Sequence, residues 1–433
     1  MRQLTHILIL TAALLMTACD DFFDKRDDGQ AIDEQRFFSD ESAFRQAMTD
    51  AYIQLRDTNL YGGTLTLTLL EQAAGTLTPF DAATEAAARD GLTAPLLRSR
   101  LDSTKTAAER VMRACDHIIA AATPQQLKAG EVRMAVGEAH ALRGALRFDL
   151  YRLQLLPSDV LPAVEGDLNT AATLLRDSDP LVTTASQTTV AVGRQDRRLR
   201  TMMLNWYAVK ALQARVALWQ GRYDDVLTAA DSVMAPLETL AERYRVFYFV
   251  QPGKYGADFC FSREFLFGIA TLPTGFPALS DRLFGEQGVR TTSRLHAIYT
   301  DAADIRYRAW FRQSADGLGY TMARKFGSET LLSGYVVSAT GSEMQLPASI
   351  PSVKLGEVAL MAAEALNETG HPAEALTQIE QLRQTRGIET APVQQTVAAT
   401  ADREAVRQLI MAERERELFG EGQLYYYYQR ERK

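Results

Sequence analysis

The sequence predicts a mainly α-helical protein in which pairs of helices form a scaffold joined to an irregular, loop-rich region. Three observations carry this. Apolar residues recur at helical spacing over long stretches; Val209, Leu212, Val216 and Trp219 are one such stripe, at i, i+3, i+7 and i+10. Two segments share a layout of helix, glycine turn and second helix, one around Gly221 and one around Gly370. Residues 240–350 drop the helical period and gather aromatics among glycines and prolines, the pattern of loops and short strands.

Taken in order, Ser39 or Asp40 caps a helix to about Asp57, with Phe44, Ala47, Ala51 and Leu55 on one side. Gly62-Gly63 breaks it, and residues 64–100 carry no firm assignment. Helices are expected over 103–122 and from about 125 to 156, where Pro157 ends the run. Residues 158–200 read as loop-rich. A strong helix spans 204–220, and Asp224 and Asp225 suit the N-terminus of the next one. After the irregular segment, helices resume at Ser352, stop at Gly370, restart at Pro372 and run again from about 402 to 419. The paired segments, with small residues such as Ala211, Ala214 and Ala363 where helices must approach closely, are similar to tetratricopeptide repeats, whose period is about 34 residues. Generic α-bundles also contain such pairs, and the two copies lie far apart in the chain.

The chain has 433 residues, 46% hydrophobic and 23% charged, enough to bury a sizeable core. That excludes wholesale disorder, collagen-like repeats and a polytopic membrane protein. A net charge of −7 argues against a nucleic-acid partner. Three cysteines exclude a disulfide-built scaffold. Cys115 and Cys260 read as two separate buried thiols, with a pairing as the alternative.

Residues 1–18 read as a signal peptide: Arg2, an apolar stretch from Leu4 to Met16, then Thr17-Ala18 before Cys19. The apolar run is short for a permanent membrane span. Small residues directly before a cysteine resemble the lipobox of bacterial lipoproteins, so Cys19 is the expected lipidation site and the membrane is reached through a lipid anchor. Residues 19–38 form an acidic tether, and 39–433 a single helical body with 240–350 as a loop-rich insertion.

No catalytic constellation is present. The sequence lacks a phosphate loop with Lys-Ser/Thr, a Gly-x-Ser-x-Gly elbow and His-Glu-x-x-His. His117, His140, His296 and His371 keep no metal-ligand spacing. The reading is a non-enzyme with no metal and no cofactor. Glu413 to Glu417 alternates acid and base, giving i, i+3 and i+4 pairs; the plain reading is a solvated helix face, although Leu418, Phe419 and the four tyrosines that follow are not typical of an exposed helix. Tyr425 to Tyr428 are expected to pack the terminus onto the body. The aromatics of 244–267 and 299–320 are the candidate ligand surface, because rings stack on sugar faces; Tyr255, Trp310 and Tyr320 are the named candidates. For any one of them, a place in the core is the competing reading.

Five stretches together resemble the SusD/RagB family of outer-membrane lipoproteins. They are Ser39 to Phe44 with Ala51-Tyr52, Glu138 to Ala145 followed by Phe148 to Leu153, and Ala214 to Leu218 with Gly221. The others are Pro351 to Val358 through Ala363-Glu364-Ala365, and Glu413-Arg414 through Glu421-Gly422 with Arg430. Lys354 stands where Arg is usual, and Leu424, Tyr427 and Tyr428 depart from the usual closing motif, so the chain resembles a divergent branch. The acidic run behind Cys19 also resembles the surface-export signal of Bacteroidota lipoproteins.

The resemblance implies a surface lipoprotein that captures a nutrient, a glycan first and a peptide as the alternative. It implies delivery of that nutrient to a partner SusC-like TonB-dependent outer-membrane transporter. The helix pairs would face the transporter and the irregular segments the ligand. A helical-repeat interaction scaffold with no small ligand is the competing class.

Overall fold

The computed structural model describes residues 34–79, 81–183, 199–239, 245–270, 283, 288–326, 349–388 and 402–431. The expected signal peptide, Cys19 and most of the expected tether lie outside the described residues. The last tether residues do not. Glu34–Phe37 is a short helix, and Phe38 is buried with its ring 4.8 Å from that of Phe44. The folded body therefore starts before residue 39, because Phe38 belongs to the apolar core rather than to a solvated leader.

Asp40 opens α1 (Glu41–Gln54) by accepting the N–H of Ser42, and Phe44, Ala47 and Ala51 face inward as the spacing predicts. The unassigned segment contains a short helix, Leu69–Ala73, and α2 (Ala82–Asp90), started by a reciprocal cap between Asp81 and Thr84. α3 (Arg98–Ala121) and α4 (Gly130–Arg152) follow. The loop-rich expectation for 158–200 fails over α5 (Leu161–Arg176). Pro162 sits in its first turn, where a missing N–H costs nothing, and Val164, Leu168, Ala171 and Leu175 are buried on one face.

α6 (Trp206–Trp219) begins where the Asn205 side chain accepts the N–H of Ala208. α7 (Tyr223–Thr239) carries Asp224 and Asp225 in its first turn. After the insertion come α8 (Leu355–Glu368), α9 (Pro372–Thr385), α10 (Arg403–Glu417) and α11 (Leu424–Glu431). Gly221 and Gly370 take positive φ at the two predicted turns. The helices stack in series: α3 on α4, α4 on α5, α5 on α6, α6 on α7, α7 on α8, and α8 on both α9 and α10. The two similar helix pairs, separated by a long insertion in sequence, are neighbours in space.

The insertion holds strands β1 (Phe265–Ile269), β2 (Arg312–Gln313) and β3 (Tyr320–Thr321), and β4 (Ile350–Lys354) closes it. β1 pairs antiparallel with β4, so the chain leaves and re-enters the helical stack at one point. β2 and β3 form a small hairpin. Among the described residues, no helix is long and apolar enough to cross a membrane.

The face expected to be solvated on α10 is buried. Glu413, Arg414 and Glu417 are at most 1% exposed. Glu413 pairs with Arg306, Arg414 with Glu364, and Glu417 with Arg306 and Arg386. These buried charges meet opposite charges from other elements, beside the i, i+3 pair Glu413–Arg416. The tyrosines behave as expected: Tyr426 and Tyr427 are buried. Cys115 and Cys260 are separate buried thiols.

Candidate functional site

A buried ion cluster sets the geometry of a recess beside the insertion segment 245–264. Arg386, just past α9, donates to both carboxylate oxygens of Glu264 at 2.6 and 2.7 Å and to both of Glu417 at 2.8 and 3.0 Å. Glu264 also accepts the N–H of Val250 at 2.8 Å. Burial pushes the Glu417 carboxyl up, but Arg386, Lys354 and Arg306 outweigh it and hold the group well below the usual carboxylate range. Each buried charge is matched, which is the condition for tolerating its desolvation. The cluster ties the segment 245–264 to α9 and α10.

Between that segment and α9 lies a cavity of about 600 Å³, within the range of small-molecule sites. Met234, Leu237, Ala359 and Leu382 give it apolar walls, and Tyr248, Phe249 and Tyr255 supply rings. Gln378, Gln381 and Thr385 present neutral polar groups from one face of α9, at i, i+3 and i+7, and Gln251 adds another from the loop. Arg245, Lys254 and Arg263 line it as cations. The guanidinium of Arg263 lies 5.7 Å from the Tyr248 ring centroid. Asp258 is the acid in the described lining; it is buried, and it accepts the N–H and hydroxyl of Ser262 at 3.0 and 2.7 Å. Flat rings beside amides, a hydroxyl and cations can hold a polyhydroxylated ligand by stacking and hydrogen bonding at once.

The three predicted site residues part company. Tyr255 lines the cavity, its ring 5.4 Å from that of Phe261. Phe261 is fully buried, with φ +58, a backbone conformation rare outside glycine. Trp310 is a core residue, which corrects its assignment as a ligand contact. It is 0% exposed, packed on Phe261 at 5.6 Å and capped by the Lys325 ammonium 3.6 Å from its ring centroid. No ligand reaches a ring enclosed on both faces. Tyr320, half-buried on β3, packs with Tyr307 at 5.9 Å and His296 at 5.4 Å, away from Tyr255 and outside the cavity. Gln378, Gln381 and Thr385 went unnoticed in sequence, because polar residues at helical spacing look like any solvated helix face.

A second recess of about 730 Å³ lies between 58–81 and 283–290. Thr58, Asn59, Thr64, Thr68 and Thr78 give it hydroxyl and amide groups, and Arg100 pairs with Asp81 at 3.0 Å at its edge. It carries no aromatic ring in its described lining. The histidines are satisfied locally: His117 by Glu34, His140 by Asp167 and His371 by Glu374. Among the described residues, no group of three His, Cys, Asp or Glu could hold a metal ion.

Stacked helix pairs with a looped-out insertion, and a cavity at their junction, define a helical-repeat fold. Residues 319–431 match the model of the SusD family. A SusD superfamily protein of Bacteroides thetaiotaomicron superposes with a TM-score of 0.63 at 18% identity, covering 90% of each chain. A SusD-like carbohydrate-binding protein of Bacteroides vulgatus gives 0.58 at 17% identity, covering 88% of this chain and 82% of that one. A SusD-like protein of Bacteroides fragilis gives 0.60 at 17%, covering 92% and 87%. Among curated proteins, none matches this sequence. The C-terminal quarter of the chain thus resembles the SusD family in sequence, and nearly the whole chain shares the fold of these solved structures.

Proposed function

We propose that the chain is a cell-surface lipoprotein that captures a glycan and hands it to a TonB-dependent outer-membrane transporter. The observation that carries the ligand side is the cavity between 245–264 and α9, where Tyr248 and Tyr255 stand beside Gln251, Gln378, Gln381 and Thr385. Sugar rings offer an apolar face to stack and hydroxyls to hydrogen-bond, and this lining offers both kinds of partner. A peptide is the alternative cargo. Support for the setting comes from the family match, from structural likeness to a protein described as carbohydrate-binding, and from the lipobox ending at Cys19. The sequence carries none of the catalytic motifs sought above, so the proposed role is binding without turnover. The helix pairs are the proposed transporter-facing side.

Thermal shift on the chain from residue 20, which keeps every described residue, tests this against panels of glycans and peptides. A ligand that binds only the folded state raises the melting point. Stabilisation by an oligosaccharide supports glycan capture. Stabilisation by peptides alone moves the cargo to peptide, and no stabilisation by either favours an interaction scaffold. Co-purification of an outer-membrane barrel with the tagged full-length protein tests the transporter partnership.

A further inference from the structure

Phe261 keeps a backbone that its side chain resists. It sits in the left-handed region at φ +58 and ψ +48, where a bulky residue is an outlier and a glycine is at ease. The turn around it is fastened on both sides. The Phe261 N–H donates to the Asp258 carbonyl at 3.2 Å, and the Phe261 carbonyl accepts the N–H of Glu264 at 2.9 Å. The Asp258 carboxylate accepts the N–H and the hydroxyl of Ser262, and the Asp258 N–H donates to the Tyr255 carbonyl at 2.9 Å. Strain of this kind persists only where the surroundings over-determine it, and it gathers at ligand clamps and active sites.

The turn places the Phe261 ring against Tyr255 at 5.4 Å and Trp310 at 5.6 Å, with the Arg386 guanidinium 5.6 Å from its centroid. Trp310 and Arg386 are fully buried and held by the core. Tyr255 is not. It stands half-buried in a stretch, 251–257, whose other residues are all exposed. Its ring meets Phe259 at 6.2 Å, itself half-buried, and Phe261, which is fully buried.

We infer that Phe261 is a positioning residue: its left-handed turn sets its ring behind Tyr255 and so fixes Tyr255 as a wall of the cavity before a ligand arrives. The inference rests on the reading of this cavity as the ligand site and adds preorganisation to it, since a ring already held loses less freedom on binding. A residue that only fills the core is the competing role, and it has no tie to Tyr255.

Two measurements on the chain from residue 20 separate the roles. Calorimetry follows maltohexaose, cellohexaose, xylohexaose and mannohexaose on the parent, Phe261→Leu, Tyr255→Ala and the double variant. Phe261→Leu should weaken the hexasaccharide that binds by about threefold or more, and the same change should have no further effect in the Tyr255→Ala background. Equal losses in both backgrounds, or none in either, overturn the positioning role and leave glycan capture standing. Crystal structures of the parent and of Phe261→Leu read the positioning with no ligand. The Tyr255 ring should keep one rotamer against the cavity in the parent and leave that wall in the variant; the same rotamer in both overturns the inference. A parent that binds none of the four hexasaccharides counts against glycan capture and leaves the crystal comparison to decide the role of Phe261. Should Phe261→Leu fail to fold, Phe261→Met, unbranched and adaptable, takes its place.

Discussion

Glu71 holds Gly422 across 351 positions of sequence: one carboxylate oxygen accepts the Gly422 N–H at 2.7 Å, and the other accepts that of Gly420 at 3.0 Å. Burial pushes the Glu71 carboxyl up, opposed by the bonds from Thr76, Gly422 and Gly420. The closing Gly-Glu-Gly is thus a docking motif for the C-terminal helix. Gly422 has φ +73, and a Cβ there would stand 2.2 Å from the Leu65 carbonyl oxygen. Gly422→Ala is expected to cost about 3 kcal/mol or more, from backbone strain and the clash together. Calorimetric melting reads this directly, and an unchanged melting point would contradict the docking role.

Arg386 is the shared partner of Glu264 and Glu417, all three fully buried. Arg386→Met leaves Glu264 buried without its cation and takes one of three cations from Glu417, which keeps Arg306 and Lys354. The expected loss is about 3–5 kcal/mol, measured as a shift in the urea midpoint. Loss of ligand binding should accompany it at temperatures where the variant is still folded, because Arg386 fixes both walls of the cavity.

Acid should weaken the fold. Burial alone would raise Glu417, Glu364 and Asp167, yet their arginine partners, joined by Lys354 at Glu417 and by a His140 hydrogen bond at Asp167, hold all three below their ordinary values. A carboxyl whose folded-state pKa is depressed contributes stability above its unfolded value, about 4, and loses it as pH falls toward the folded value. Glu71 and Glu138 are raised by burial and oppose the trend, gaining as they protonate. The midpoint of urea unfolding should therefore fall between about pH 5 and pH 3, and less steeply in Glu364→Gln, which lacks one depressed group. A parallel slope in that variant would remove Glu364 from the account.

Two aromatic substitutions should separate structure from binding. Trp310→Ala empties a core position between Phe261 and Lys325 and is expected to cost about 3–5 kcal/mol. Tyr255→Ala, at a half-buried cavity wall, should leave the melting point nearly unchanged and weaken saccharide binding about tenfold. If Tyr255→Ala binds as the parent does, the cavity is not the ligand site.

The anchor is tested at Cys19. In cells fed labelled palmitate, the parent chain should carry label and sediment with outer membranes. Cys19→Ala should do neither, since an acyl chain supplies the membrane affinity.

Much of the fold was legible because helices write themselves locally. The stripe through Val209, Leu212 and Val216 is buried as its spacing requires, and the turns at Gly221 and Gly370 fall where glycine's freedom is needed. α5 lies in the segment expected to be loop-rich; Pro162 sits in its first turn, where a proline starts a helix as readily as it ends one. The site was less legible. Tyr255 lines the cavity while Trp310, from the same aromatics, builds core, and composition does not say which ring meets solvent. The family-like stretches turn out to be connectors: Arg215 pairs with Glu357, Glu138 with Arg200, and Lys354 with Glu417 and Glu421.

The sequence by itself determined the helical class, the paired layout, the separate buried thiols and the packing of the terminal tyrosines. Each follows from periodicity, turn chemistry or composition acting over a few residues. Only the tertiary structure decided that the Glu413–Glu417 charges are buried, that Glu264 meets Arg386 and that three polar residues of α9 face Tyr255 across a cavity. Those outcomes depend on which distant surfaces share the same space. A charged or polar side chain carries no mark of whether water or a partner far along the chain will satisfy it.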